Sequence, residues 1–179
     1  MQIKHEKTKI LFLCTGNACR SPMAEGLLRH LSPERYTSLS AGTHPARFVH
    51  RLGIRVMADC GIDISGQSSK SIREFLPPRG DPPQVIVSLC DFARRACPVF
   101  PQGVGRIHWP VFDPIVMDGN EDMVLSVFRG VRDELRGLIE GALRSGTFDD
   151  PPERFEAEPT RSRLWRRVRT FLGTWPKSP

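Results

Sequence analysis

Apolar and polar positions follow two periods along the chain, and the order of those periods predicts an architecture. Ile10, Leu11, Phe12 and Leu13 form an unbroken apolar run that stops at Thr15-Gly16-Asn17, after which Ala24, Leu27, Leu28 and Leu31 recur at helical spacing. This reads as strand, loop, helix. A second strand is expected over Tyr36 to Ala41, closed by Gly42, and helical spacing returns through Val49, Leu52, Val56 and Met57 up to Gly61. The proline-rich stretch from Pro77 to Pro83 is a loop. Beyond it, Val85 to Leu89 is the continuous apolar run of a strand buried on both faces. Ile107 to Val111 predicts a fourth strand, and Met123, Val127, Val131, Leu135, Leu138 and Leu143 predict a long amphipathic helix. Strands alternating with helices imply an α/β fold: a doubly wound, four-stranded parallel sheet flanked by helices, with its site at the carboxyl ends of the strands.

Past that helix the pattern changes. Residues 1–146 are expected to form the α/β domain, 147–159 an acidic, proline-rich linker, and 160–179 a basic C-terminal extension. In the extension Leu164, Val168, Phe171, Leu172 and Trp175 fall on one side of a helical wheel, with Arg163, Arg166, Arg167 and Arg169 elsewhere around it. The chain carries 26 Lys/Arg against 20 Asp/Glu, and six of the basic residues lie in 160–179 without an acid, so the formal charge of +6 belongs to the extension. Packing on the body or self-association is the first reading of such a helix. A membrane surface or protein partner is the second, and nucleic acid the last. At 179 residues the chain suits one domain with an appendage. It has no run near the roughly 20 apolar residues of a membrane span, and its polar start implies a cytoplasmic protein.

Five cysteines, an odd number, point to thiols used in chemistry or packing rather than to a disulfide framework. Cys14-Thr15-Gly16-Asn17-Ala18-Cys19-Arg20-Ser21 falls where the first strand ends and a helix begins, so backbone N–H groups can converge there on an anion. Amides and a guanidinium around a cysteine activate it as a nucleophile, and Arg20 has the planar fork that fits two oxygens of phosphate or arsenate. Ser21 is placed to donate a hydrogen bond to the Cys14 sulfur. Asp113-Pro114, far downstream, offers a general acid for a leaving oxygen. His5, His30, His44, His50 and His108 lack ligand spacing, so no metal site is expected.

The Cys-x5-Arg-Ser loop near the start and the later Asp-Pro resemble the low-molecular-weight protein tyrosine phosphatase superfamily. Within it, Ser88-Leu89-Cys90 and Cys97-Pro98 resemble the thioredoxin-coupled arsenate reductases, as do His108-Trp109, Asp113-Pro114 and the run from Phe128 to Glu134. The resemblance covers roughly residues 8 to 145. It implies that Cys14 attacks arsenate, Asp113 protonates the departing oxygen, Cys90 attacks Cys14 to release arsenite, and Cys97 resolves the disulfide for reduction by thioredoxin. No tightly bound cofactor is implied. Phosphomonoester hydrolysis by Cys14, Arg20 and Asp113 is the rival reading, and oxyanion sensing without turnover a third. Relatives of both kinds often carry a cysteine at the place of Cys19. Asn17, Glu25, Ser40 and residue 70 align with a potassium site of some of these reductases, but the last is Lys70 here. Its ammonium is therefore expected to stand in for the cation, pairing with Glu25 and supporting Asn17 and the loop.

Overall fold

The structure, a computed structural model, describes residues 6–78, 80–153 and 155; the basic stretch 160–179 lies outside the described residues. Four strands form one parallel sheet: β1 (Thr8–Cys14), β2 (Tyr36–Gly42), β3 (Val85–Ser88) and β4 (Gly105–His108), in the order β2-β1-β3-β4. The chain first winds from β1 to β2 on one side, then crosses to β3 on the other. The carboxyl end of β1 is thus the topological switch point, where open α/β sheets bind ligands.

Burial on both faces explains the unbroken apolar run of β1. Ile10 and Phe12 join a core with α1 (Arg20–Leu31), α2 (Arg51–Ala58) and α4 (Glu121–Ser145). Leu11 and Leu13 face the opposite way, toward Ile86, Phe100, Val104 and Ala93 of the short α3 (Asp91–Arg95). The long α4 starts where the Asn120 side chain accepts from the Met123 N–H at 2.9 Å, with Glu121 and Asp122 in the favourable first turn. It buries Leu125, Phe128, Val131, Leu135 and Ile139, and ends at Gly146 in the left-handed region, φ 71°.

Two segments differ from expectation. The fourth strand is Gly105–His108 rather than Ile107 to Val111: it pairs from Val85↔Gly105 to Ser88↔His108. Trp109 and Val111 still donate to Ser88 and Leu89, but Pro110 between them has no N–H and the regular ladder stops. The stretch expected as the start of a linker instead lies against the domain over its described residues. Phe148 is buried in the core, Asp149 accepts from Arg35 at 2.8 Å and from the Tyr36 hydroxyl at 2.7 Å, and the Pro152 carbonyl accepts from the Arg106 N–H at 2.6 Å. An edge strand with free backbone groups, next to apolar side chains that need cover, gives this segment its docking place.

Candidate active site

The loop from Cys14 to Cys19 joins β1 to α1, and its shape follows from where its carbonyls go. Cys14, Thr15, Gly16 and Ala18 carbonyls accept from the N–H groups of Thr43, His44, Ala46 and His50 at 2.7–3.2 Å, and Ser69 Oγ adds a bond to Gly16 at 3.0 Å. In a trans peptide the following N–H points opposite its carbonyl, so the amides of Thr15, Gly16, Asn17 and Cys19 turn to the other side. The Asn17 N–H donates to Cys14 Sγ at 3.2 Å, and Ser21 Oγ lies 2.9 Å from the same sulfur. Asn17 reaches this arrangement in the left-handed region, φ 46°, which asparagine tolerates better than most side chains. Gly42, the end of β2, lies directly beneath: a Cβ there would meet Thr15 O at 2.7 Å and Asn17 N at 2.9 Å.

Arg20 opens α1 with its guanidinium buried beside the loop. Nη2 meets Asp113 Oδ2 at 2.5 Å and Nη1 donates to the Val111 carbonyl at 3.2 Å, so the carboxylate of Asp113-Pro114 and the Arg20 guanidinium share one pocket. Burial opposes the charge on Arg20, but the neighbouring Cys14 and Asp113 outweigh it and hold its pKa above the ordinary value. The cavity is ≈ 240 Å³ and is walled by Ala46, Phe48, His50 and Ile115 as well as the loop. Phe48 and Ile115 are 58% and 45% exposed, which gives the mouth an apolar rim. Burial, helped by Arg51, pushes His50 down; its neutral ring accepts from the Leu52 N–H at Nδ1, 3.2 Å, and stacks on Phe128 at 5.0 Å. Burial pushes the Cys19 thiol well up and so favours its protonated form.

Behind the loop lies a polar network. Asn17 Nδ2 donates to Ser21 Oγ at 2.9 Å and Ser40 Oγ at 3.0 Å, Ser40 donates to Glu25 Oε2 at 2.5 Å, and Glu25 also pairs with Arg29 at 3.1 Å and Lys70 Nζ at 3.4 Å. The Lys70 N–H closes the circuit on Asn17 Oδ1 at 2.6 Å. Asn17, Glu25, Ser40 and Lys70, far apart in sequence, are thus one cluster.

The second pair of thiols flanks α3. Cys90 caps that helix, its sulfur accepting from the Ala93 N–H at 3.4 Å, and lies 3.4 Å from Thr15 Oγ1, the residue next to Cys14. Cys97 follows the helix, and Arg106 Nη1 approaches its sulfur at 3.6 Å. Buried His108 ties the start of α3 to β3. With Asp91 as acceptor for Nε2–H at 3.2 Å, Nδ1 accepts from the Ser88 hydroxyl at 2.7 Å; burial and Arg94 hold the ring neutral by lowering its pKa. Phe48, His50, Ser69 and Arg106 gain these positions through tertiary packing that no local pattern marks, whereas Thr15 lay inside the Cys14–Ser21 motif.

Residues 9–146 match the family model of the low molecular weight phosphotyrosine protein phosphatases. An arsenate reductase of Halalkalibacterium halodurans is 38% identical over 140 residues, covering 78% of this chain and 98% of its own. Among solved structures, an arsenate reductase in the phosphate-binding state is 32% identical with a TM-score of 0.60, over 77% of this chain and 98% of that one. A low molecular weight protein tyrosine phosphatase of T. tengcongensis is 27% identical with a TM-score of 0.63, over 78% and 99%.

Proposed function

Because the chain belongs to the low molecular weight phosphotyrosine protein phosphatase family, we propose that it is an arsenate reductase that passes two electrons through Cys14, Cys90 and Cys97, with thioredoxin as reductant. The observation that carries this reading is the 3.4 Å contact of Cys90 Sγ with Thr15 Oγ1, beside the nucleophile, with Cys97 at the other end of a single short helix. Hydrolysis alone has no use for a second and third thiol there. The loop amides and Arg20 hold arsenate, Cys14 attacks arsenic, and Asp113 protonates the departing oxygen. Cys90 then attacks Cys14 Sγ; the arsenic–sulfur bond breaks with its electron pair left on arsenic, which leaves as arsenite. Cys97 attacks Cys90, and the Cys90–Cys97 bridge is reduced by thioredoxin. The family and the arsenate reductase relatives support the oxyanion chemistry.

The test couples arsenate to NADPH oxidation through thioredoxin and thioredoxin reductase. Wild type is expected to turn over, while Cys90→Ser and Cys97→Ser lose multiple turnover and keep aryl phosphate hydrolysis. Hydrolysis without arsenate-dependent oxidation in the wild type would instead make the protein a phosphomonoesterase acting through Cys14, Arg20 and Asp113. The apolar rim of Phe48 and Ile115 favours that second reading, because it suits an organic leaving group.

The Lys70 ammonium supports the loop in place of an alkali cation. Its contact with Glu25, itself bonded to Ser40 and through it to Asn17, is the motivating geometry. Lys70→Ala is expected to cost about 1.5–3 kcal/mol, the scale of a hydrogen bond to a charged group. Part of that loss should return in potassium rather than sodium buffer. Thermal denaturation in both salts checks this; equal melting of variant and wild type, or strong potassium stimulation of the wild type, would remove the role.

A further inference from the structure

The segment after α4 lies beyond the residues matched by the family, and it reaches the third thiol of the relay. Pro151 packs so closely on Gly105 that a Cβ there would overlap its ring, and the Pro152 carbonyl holds the Arg106 N–H at 2.6 Å. The Phe155 ring lies 5.6 Å from the Arg106 guanidinium carbon and 6.4 Å, edge-on, from His108. Phe155 also packs on the same apolar cluster as Cys90 and Cys97. Arg106 is therefore gripped at its backbone and over its guanidinium by one segment, while Nη1 faces Cys97 Sγ at 3.6 Å.

A thiol attacks a disulfide as the thiolate. Burial pushes the Cys97 thiol up, and Arg106, the charged group acting on it, pulls it back in part. We propose that Arg106, held by Pro152 and Phe155, is a positioning residue that readies Cys97 to attack the Cys14–Cys90 disulfide, so that the segment after α4 tunes this step. The proposal rests on the relay described above. In the step, the Cys97 thiolate gives its electron pair to Cys90 Sγ, the Cys90–Cys97 bond forms as the Cys14–Cys90 bond breaks, and Cys14 leaves as a thiolate. No further oxidant or reductant is consumed.

The experiment measures alkylation of Cys97 and Cys14 by iodoacetamide against pH in the reduced full-length protein, each peptide quantified by mass spectrometry. Arg106→Met is expected to move the Cys97 midpoint up by about one pH unit, the lower end of the effect of a nearby opposite charge. Arg106→Lys should restore most of it, and Phe155→Leu, which keeps apolar cover but removes the ring face, should shift it partway. The Cys14 profile stays put in all three and reports an intact fold. A Cys97 profile unchanged in Arg106→Met overturns the proposal, and one unchanged in Phe155→Leu removes the segment from it. Cys97 shifts in the variants together with no arsenate-dependent NADPH oxidation by the wild type would overturn the relay itself, not the Arg106–Cys97 coupling.

Discussion

Cys14→Ser is expected to lower turnover of arsenate and of aryl phosphates on the order of 10⁶-fold in kcat, the scale of removing a hydrolase nucleophile. Two hydrogen-bonding groups meet this sulfur, the Asn17 N–H at 3.2 Å and Ser21 Oγ at 2.9 Å, and the Arg20 guanidinium lies beside the loop. A serine oxygen is a far weaker nucleophile at neutral pH and cannot enter a disulfide with Cys90. Cys19 does not replace it, because burial keeps that thiol protonated. Phosphate binding should survive, since loop amides and Arg20 remain. Steady-state rates together with phosphate titration calorimetry check both halves, and residual turnover within tenfold of wild type would take the nucleophile's role from Cys14.

Gly42→Ala is the second large effect, and it acts without touching any reacting group. The new methyl would strike Thr15 O at 2.7 Å, Asn17 N at 2.9 Å and Gly16 C at 3.0 Å. These are backbone atoms of the loop between β1 and α1, itself tied by hydrogen bonds to residues 43–50, so they have no flexible end that could yield. Overpacking of this kind costs about 1–3 kcal/mol of stability. Displacing the loop by as little as about 1 Å costs about 10²-fold in rate. Chemical denaturation and kcat on an aryl phosphate measure the two separately. A variant with wild-type kcat would show that the loop moves freely over β2.

The elements carried by strong periodicity were legible. β1, α1, β2, β3 and α4 lie close to where apolar spacing puts them, because each buries side chains in the pattern its own geometry dictates. Boundaries were less so. β4 begins two residues early since its partner β3, not its own hydrophobicity, decides where pairing starts. The five-residue α3 was too short for a helical period to register, though its capping by Cys90 bears directly on the thiol pair. Within the site, the run from Cys14 to Ser21 was legible because strand, loop and helix there are contiguous. Asp113 could be named only through the Asp-Pro motif, and nothing local placed it 2.5 Å from Arg20.

What the sequence by itself determined was the alternation of strands and helices and the chemistry available at the first strand end: a thiol, a guanidinium and a glycine-bearing loop. Both follow from short-range rules, since hydrophobic period sets the elements and a strand-to-helix turn exposes amides whatever surrounds it. Tertiary structure alone decided which distant groups meet. The Cys90 sulfur comes beside Thr15 because β3 pairs in parallel with β1 and so brings both strand ends to the same edge. Phe155 meets Arg106 because the segment after α4 covers an edge strand that needed covering. Such encounters depend on the order of strands across a sheet and on which surfaces must be buried. These are properties of the whole packed chain, and no window of sequence contains them.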